Sequence, residues 1–143
     1  METPGRCLCG AVTFTGLGAV GPAEICHCTI CRRHGAGPLM STNFAGGVRL
    51  DTADELRWYA SSTIAERAFC GRCGTSLFWR MRGSTSMSVS AHAFEGEPPS
   101  IREHVFVDEK PAWYDFADEA PRITAAQMHE RLEAWRKKQQ SST

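Results

Sequence analysis

A chain of 143 residues with 16 Lys and Arg against 16 Asp and Glu, 42% hydrophobic and 22% charged, has the size and balance of one soluble globular domain. Zero formal net charge excludes polyanion binding as the main task, so no nucleic-acid partner is expected. No run of about 18 apolar residues could span a bilayer, and residues 1–5 lack the basic and apolar regions of a secretory leader, which predicts a cytoplasmic protein with no membrane partner.

In chain order, alternation of apolar and polar residues predicts strands over 11–15, 38–44, 48–50, 56–59, 65–69, 76–82, 86–91 and 102–107. Gly16, Gly18, Gly21, Gly46, Gly47, Gly83 and the pair Pro98-Pro99 punctuate them. A short helix is expected over 29–35, directly after Cys28. A second is expected over about 125–138, opened by a Thr124/Gln127 capping box. Met128, Leu132 and Trp135 share one face of that helix, which predicts packing against the β core or a partner chain. Arg136, Lys137 and Lys138 suit the negative end of its dipole. The fold class is therefore mainly β with antiparallel neighbours and two helices.

The core is thin. Leu, Ile, Val and Phe supply 25 of 143 residues, under the roughly 20% that accompanies disorder when net charge is high. Net charge is not high, so stability must come from something besides apolar burial. The seven cysteines are the obvious source. They fall at Cys7 and Cys9, at Cys26, Cys28 and Cys31, and at Cys70 and Cys73. An odd number leaves a remainder in any disulfide scheme, and a reducing compartment disfavours disulfides. Thiols one or two residues apart present a pair of sulfurs to one tetrahedral zinc at about 2.3 Å, and Gly71 and Gly74 allow a tight turn around Cys70 and Cys73. One partition joins Cys7 and Cys9 to Cys70 and Cys73 as a closed structural site, leaving Cys26, Cys28 and Cys31 as a site with an open position. The other partition joins Cys70 and Cys73 to the triplet, overfills one site and strands the first pair. The first uses every thiol without conflict.

The segments CLCGAVTF (7–14), CHCTICRRHGAG (26–37), FCGRCGTSLFW (69–79) and HVFVDEKPAWYDFADEAPR (104–122) resemble, in this order, those of the glutathione-dependent formaldehyde-activating and centromere-protein-V-like domain family. The resemblance implies an Mss4-like β-tent, small antiparallel sheets held by zinc, with residues 1–122 forming the zinc-binding domain and 123–143 a helix and polar tail of that same domain. It implies two Zn2+ per chain: structural zinc at Cys7, Cys9, Cys70 and Cys73, and a second, labile one at Cys26, Cys28 and Cys31, where chemistry would occur. It also implies a carbon–sulfur lyase that joins or separates a small aldehyde such as formaldehyde and a small thiol such as glutathione. The alternative is a zinc-stabilised module that binds a thiol, a metabolite or a protein without turnover. Thiolate-rich sites accept iron as well as zinc, and three thiolates make a site anionic, which favours thiol handling over strong carbonyl activation.

Around the second cluster, Arg32 and Arg33 are candidates to bind a substrate carboxylate, against a reading as solvated surface charges. His27, between two ligand cysteines, is expected to point away from the metal into a supporting or surface position. His34 could close the first helix or meet substrate. His92 is a candidate fourth ligand or general acid/base, or a surface histidine at a strand end. Trp113 and Tyr114, after Lys110, are expected to pack over the sheets or to wall the substrate pocket.

Overall fold

A proline at the fourth position opens the chain in a strand that alternation does not reveal. The computed structural model describes residues 1–141 and places β1 at Glu2–Arg6. Pro4 is tolerated because β1 is an edge strand, where a missing N–H costs no ladder bond. Beside it run β2 (Thr13–Leu17) and β5 (Val48–Thr52), both antiparallel, in the order β1-β2-β5. Gly16, expected as punctuation, lies inside β2: a Cβ there would meet the Phe44 ring at 2.4 Å. Gly5 likewise leaves room for the Phe14 ring, 2.2 Å from the place of its missing Cβ.

A second set of strands, β4 (Leu39–Thr42), β6 (Leu56–Ala60), β7 (Ala65–Cys70), β8 (Ser76–Met81) and β9 (Ser88–Ser90), pairs antiparallel in the order β4-β9-β8-β7-β6. The chain divides into two compact units, and these strands, with β1, β2 and β5, build the first, residues 1–23 and 40–100. Its core gathers Val12, Phe14, Phe44, Ala68, Leu77, Phe78 and Val89 around two thiols, Cys7 and Cys70. Phe14 meets Phe78 edge-on at 5.1 Å, and the Arg80 guanidinium sits 3.6 Å above the Trp58 ring.

The second unit, residues 24–39 and 101–143, holds most of β3 (Ala23–Cys26), α1 (Thr29–Gly35), β10 (Ile101–Val105), a 3-10 turn over Val107–Glu109, the two-residue β11 (Arg122–Ile123) and α2 (Ala125–Ser141). β10 stops two residues short of the expected end because Phe106 adopts φ 57°, a left-handed backbone that breaks the strand. The Thr124/Gln127 capping box forms, with Thr124 N donating to Gln127 Oε1 at 2.8 Å and Gln127 N to Thr124 Oγ1 at 3.3 Å.

The expected burial of α2 is only partial, with Met128 and Leu132 half-buried. None of its described residues is buried, and Trp135 is exposed. Polar ties add to this: Ala125 N donates to Asp108 Oδ1 at 2.8 Å, and Arg131 pairs with the buried Glu103 at 2.8 Å.

α1 ends on Ala36 at φ 59°, the left-handed position that glycine usually fills. Ala36→Gly removes the Cβ penalty and should raise stability by about 0.5–1 kcal/mol. Chemical denaturation checks this, and an unchanged or lower midpoint would contradict the assigned cap.

Candidate metal centres

The first cluster is built from two turns of similar design. Cys7 follows the end of β1; its N–H donates to Val12 O at 3.0 Å, and its sulfur accepts Val12 N–H at 3.3 Å. Gly10, at φ 81°, turns the backbone between them. Cys70 ends β7; its N–H donates to Thr75 O at 3.0 Å, and its sulfur accepts the N–H groups of Arg72 and Cys73, each at 3.4 Å. Gly74 takes φ 81° here. Gly71 serves space instead of conformation, since a Cβ would meet Arg57 Cγ at 3.0 Å and Glu55 O at 3.1 Å. Backbone N–H groups aimed at sulfur stabilise thiolate over thiol.

These turns bring the sulfurs of Cys7, Cys9, Cys70 and Cys73 within 4.8 Å of one another. Cys7 and Cys9 are 3.6 Å apart and Cys9 and Cys70 3.9 Å apart. A tetrahedron of four sulfurs at about 2.3 Å from zinc has edges of about 3.8 Å, so the spacing fits that ion. Thr75 locks the two turns together, because its hydroxyl oxygen accepts Leu8 N–H at 3.0 Å and lies 3.2 Å from Cys73 Sγ. That hydroxyl is the leading reason the Cys73 thiol is pushed down to about 5.

The second cluster lies on β3, the following turn and α1. The sulfurs of Cys26, Cys28 and Cys31 converge within 4.8 Å. Cys28 caps α1, its sulfur accepting Cys31 N–H at 3.3 Å. Hydrogen bonds from the Cys26 and Cys31 thiols push Cys28 down to about 2, while Cys28 and Cys31 push Cys26 up.

Arg32 is committed to the frame of this cluster. Its Nε donates to His27 O at 3.1 Å and its Nη2 to Glu109 O at 2.8 Å. Glu109 in turn accepts Thr29 N–H at 3.0 Å, so the 3-10 turn clamps the start of α1. Arg33 and His34 are exposed on α1. His92 is exposed in the first unit, with Nε2 3.4 Å from Met40 Sδ, and it lines a cleft with Arg6, Cys7, Leu8 and Thr75. Neither group of converged donors includes it.

His27 has no surface role: it is 1% exposed. Its ring reaches Tyr114 Oη at 2.9 Å and His104 Nδ1 at 2.8 Å, and His104 Nε2 reaches Asp118 Oδ1 at 2.9 Å. Residue-level reasoning missed His104, Asp118, Glu109 and Thr75, since each acts on a partner far away in the chain. The available signal was that His104, Glu109 and Asp118 fall within the 104–122 segment and Thr75 within 69–79.

Trp113 does not pack over a sheet; it is 84% exposed. Lys110 Nζ donates to the carbonyls of Pro111 and Tyr114 and cups this segment. Tyr114 turns inward to His27, and its neighbour Trp113 is left pointing out.

Residues 2–109 match the family model described as glutathione-dependent formaldehyde-activating enzyme. The chain belongs to this family. An uncharacterized lyase of Schizosaccharomyces pombe is 31% identical, covering 89% of this chain and 94% of its own length. A Halomonas elongata protein with the provisional name glutathione-dependent formaldehyde-activating enzyme is 28% identical, with 94% of each chain covered. The crystal structure of a Rhodobacter sphaeroides protein is similar at a TM-score of 0.57 and 26% identity, covering 85% of this chain and 99% of that one. Family membership and these names support a lyase or formaldehyde-activating enzyme, and no described helix is long and apolar enough to cross a membrane.

Two outcomes are expected. Thr75→Val removes the hydroxyl that joins the turns, so metal affinity at the first cluster should fall roughly tenfold or more and the melting temperature should drop, with Thr75→Ser restoring both. A chelator competition assay measures the first effect. Burial, then the facing His104, Lys110 and Arg122, hold the His27 imidazolium down to about 4 from 6.5. The folded chain therefore takes up that proton later than the unfolded chain. The stability this gives is complete above about 6.5 and is lost as pH falls toward 4. Side-chain NMR at pH 5.5 should show His27 neutral; a midpoint near its ordinary value would mean an open ring.

Proposed function

We propose that the chain is a zinc-dependent carbon–sulfur lyase, or in reverse an aldehyde–thiol condensing enzyme, acting on S-hydroxymethylglutathione or a similar small thiol adduct. The observation that carries this reading is the contrast between the two clusters: four converged thiols in one, three in the other, with no fourth His, Cys, Asp or Glu joining them among the described residues. Closed four-ligand sites suit structure, and three-ligand sites leave a position for substrate. Zinc at the second cluster would supply Lewis acidity toward an aldehyde oxygen and favour the thiolate form of a bound thiol.

The chain's own residues do the rest. In the lyase direction the O–H bond of the adduct breaks and its electron pair completes the carbonyl. The carbon–sulfur bond breaks with its pair on sulfur, and sulfur takes the proton. Cys26, Cys28 and Cys31 hold the site, and Arg32 keeps their loop in place through His27 and Glu109. Arg33, exposed on α1, is the guanidinium for a substrate carboxylate. No step is assigned to His92. The ties of α2 to Asp108 and Glu103 support reading the C-terminal helix as part of the same body as residues 101–122.

Metal analysis tests the assignment. Protein purified without added zinc should carry two equivalents per chain, one of them perturbed by glutathione. Cys31→Ser should stay folded, lose one equivalent and lose turnover by roughly a hundredfold or more. Cys70→Ser should instead lower the melting temperature severely, because structural zinc contributes its binding energy to folding. A fully active Cys31→Ser, or a normal melt for Cys70→Ser, would overturn the partition.

A further inference from the structure

A chain of four hydrogen-bonded side chains runs through the second unit, and it extends well beyond the residue that lies between two of the thiols. Tyr114 Oη is 2.9 Å from His27 Nδ1, His27 Nε2 is 2.8 Å from His104 Nδ1, and His104 Nε2 is 2.9 and 3.1 Å from the two oxygens of Asp118. Both rings are 1% exposed. The Asp118 carboxylate is also held by Ala120 N–H at 3.0 Å and by Arg122 at 3.4 Å. The direction of each bond follows from what each group can donate. A carboxylate only accepts, so His104 carries its hydrogen on Nε2. With one hydrogen per ring, His104 Nδ1 accepts from His27 Nε2–H, and His27 Nδ1 accepts from the Tyr114 hydroxyl.

The phenol proton is therefore committed inward, and the phenol oxygen keeps its lone pairs for a donor outside. Polarisation along such a chain strengthens that oxygen as an acceptor. Tyr114 is half-buried, open to solvent on part of its surface. It belongs to the second cluster by position: it is bonded to the residue between Cys26 and Cys28, and the Arg32 guanidinium and the Cys26 thiol both act on it through space.

We propose that Tyr114 is a specificity-determining acceptor for the hydroxyl group of an S-hydroxymethyl thiol at the second cluster, and that Asp118, His104 and His27 are positioning residues that aim its proton away from the substrate. The inference rests on the aldehyde–thiol reading above, because that hydroxyl is what separates the adduct from a free or S-alkylated thiol. With its proton held inward, the phenol accepts the adduct's O–H, a bond that an S-alkylated thiol cannot make; the ring tautomers distinguish this from a phenol that donates outward.

Calorimetric binding to the full, metal-loaded chain tests this with two probes. One is S-hydroxymethylglutathione formed in place from glutathione and formaldehyde; the other is S-methylglutathione, which has no hydroxyl. The wild-type chain should prefer the first roughly five- to tenfold, the worth of one hydrogen bond. Tyr114→Phe should lose that preference, bind S-methylglutathione as before and keep its metal content. Nitrogen NMR of the wild-type rings, which needs no variant to fold, should find hydrogen on Nε2 of both His27 and His104. Hydrogen on Nδ1 of His27, or an equal preference in the wild-type chain and Tyr114→Phe, would overturn the proposal. A wild-type chain that binds both probes without preference would overturn it and leave the lyase reading standing. One that binds neither would overturn both.

Discussion

Four thiol sulfurs from two stretches more than 60 residues apart converge to within 4.8 Å of one another, and that convergence organises the first unit. Cys7 and Cys70 are buried members of the apolar core, so cluster and core are one object. Val12, Phe14, Leu77 and Phe78 lie within a few residues of the cysteines in sequence and pack against them. This explains how so few large aliphatic side chains suffice. The sulfurs close the long-range loop, and the aromatic and aliphatic groups need only fill the space around them. N–H groups pointed at the sulfurs of Cys7 and Cys70 reinforce the turns, and the Thr75 hydroxyl joins one turn to the other.

The second unit solves a different problem, that of burying polar groups without leaving any unpaired. Two imidazoles are taken almost wholly out of water. Unpaired, each would cost about 1–3 kcal/mol, yet each ring nitrogen has a partner and no buried side-chain nitrogen or oxygen among the described residues lacks one. Because His27 sits between Cys26 and Cys28, a fixed ring also fixes the peptide carrying both thiols. Arg32 and Glu109 hold the same loop from the α1 side. The thiol trio is thus framed by hydrogen bonds, and the four-thiol cluster by packing.

Where the pattern in the chain was local, it was legible. Alternation located the strands that became β2 and β4 to β10 to within a few residues, and the capping box located the start of α2. It missed β1, whose Glu2–Arg6 stretch has a proline and no alternation, the four-residue β3 and the two-residue β11. The apolar stripe of α2 suggested burial that is only partial in this chain: Met128 and Leu132 are half-buried and Trp135 is exposed, while Ala125 and Arg131 anchor the helix through polar groups. Gly16 read as a breaker when its actual job is to admit the Phe44 ring. Nothing near a glycine in sequence tells which distant ring will lie over it.

The sequence alone determined the three cysteine groups, their division into four and three, the mainly β class and the family, since all depend on residue types at short spacings. Tertiary structure decided which polar groups met across long separations. It brought Tyr114, His104 and Asp118 to His27, turned Trp113 outward, occupied Arg32 with backbone carbonyls and placed His92 outside both groups of thiols. The reason is geometric. A metal-ligand pair is written within one turn of backbone, whereas a buried hydrogen-bond chain exists only once strands and loops far apart in sequence have set its members within 3 Å of one another.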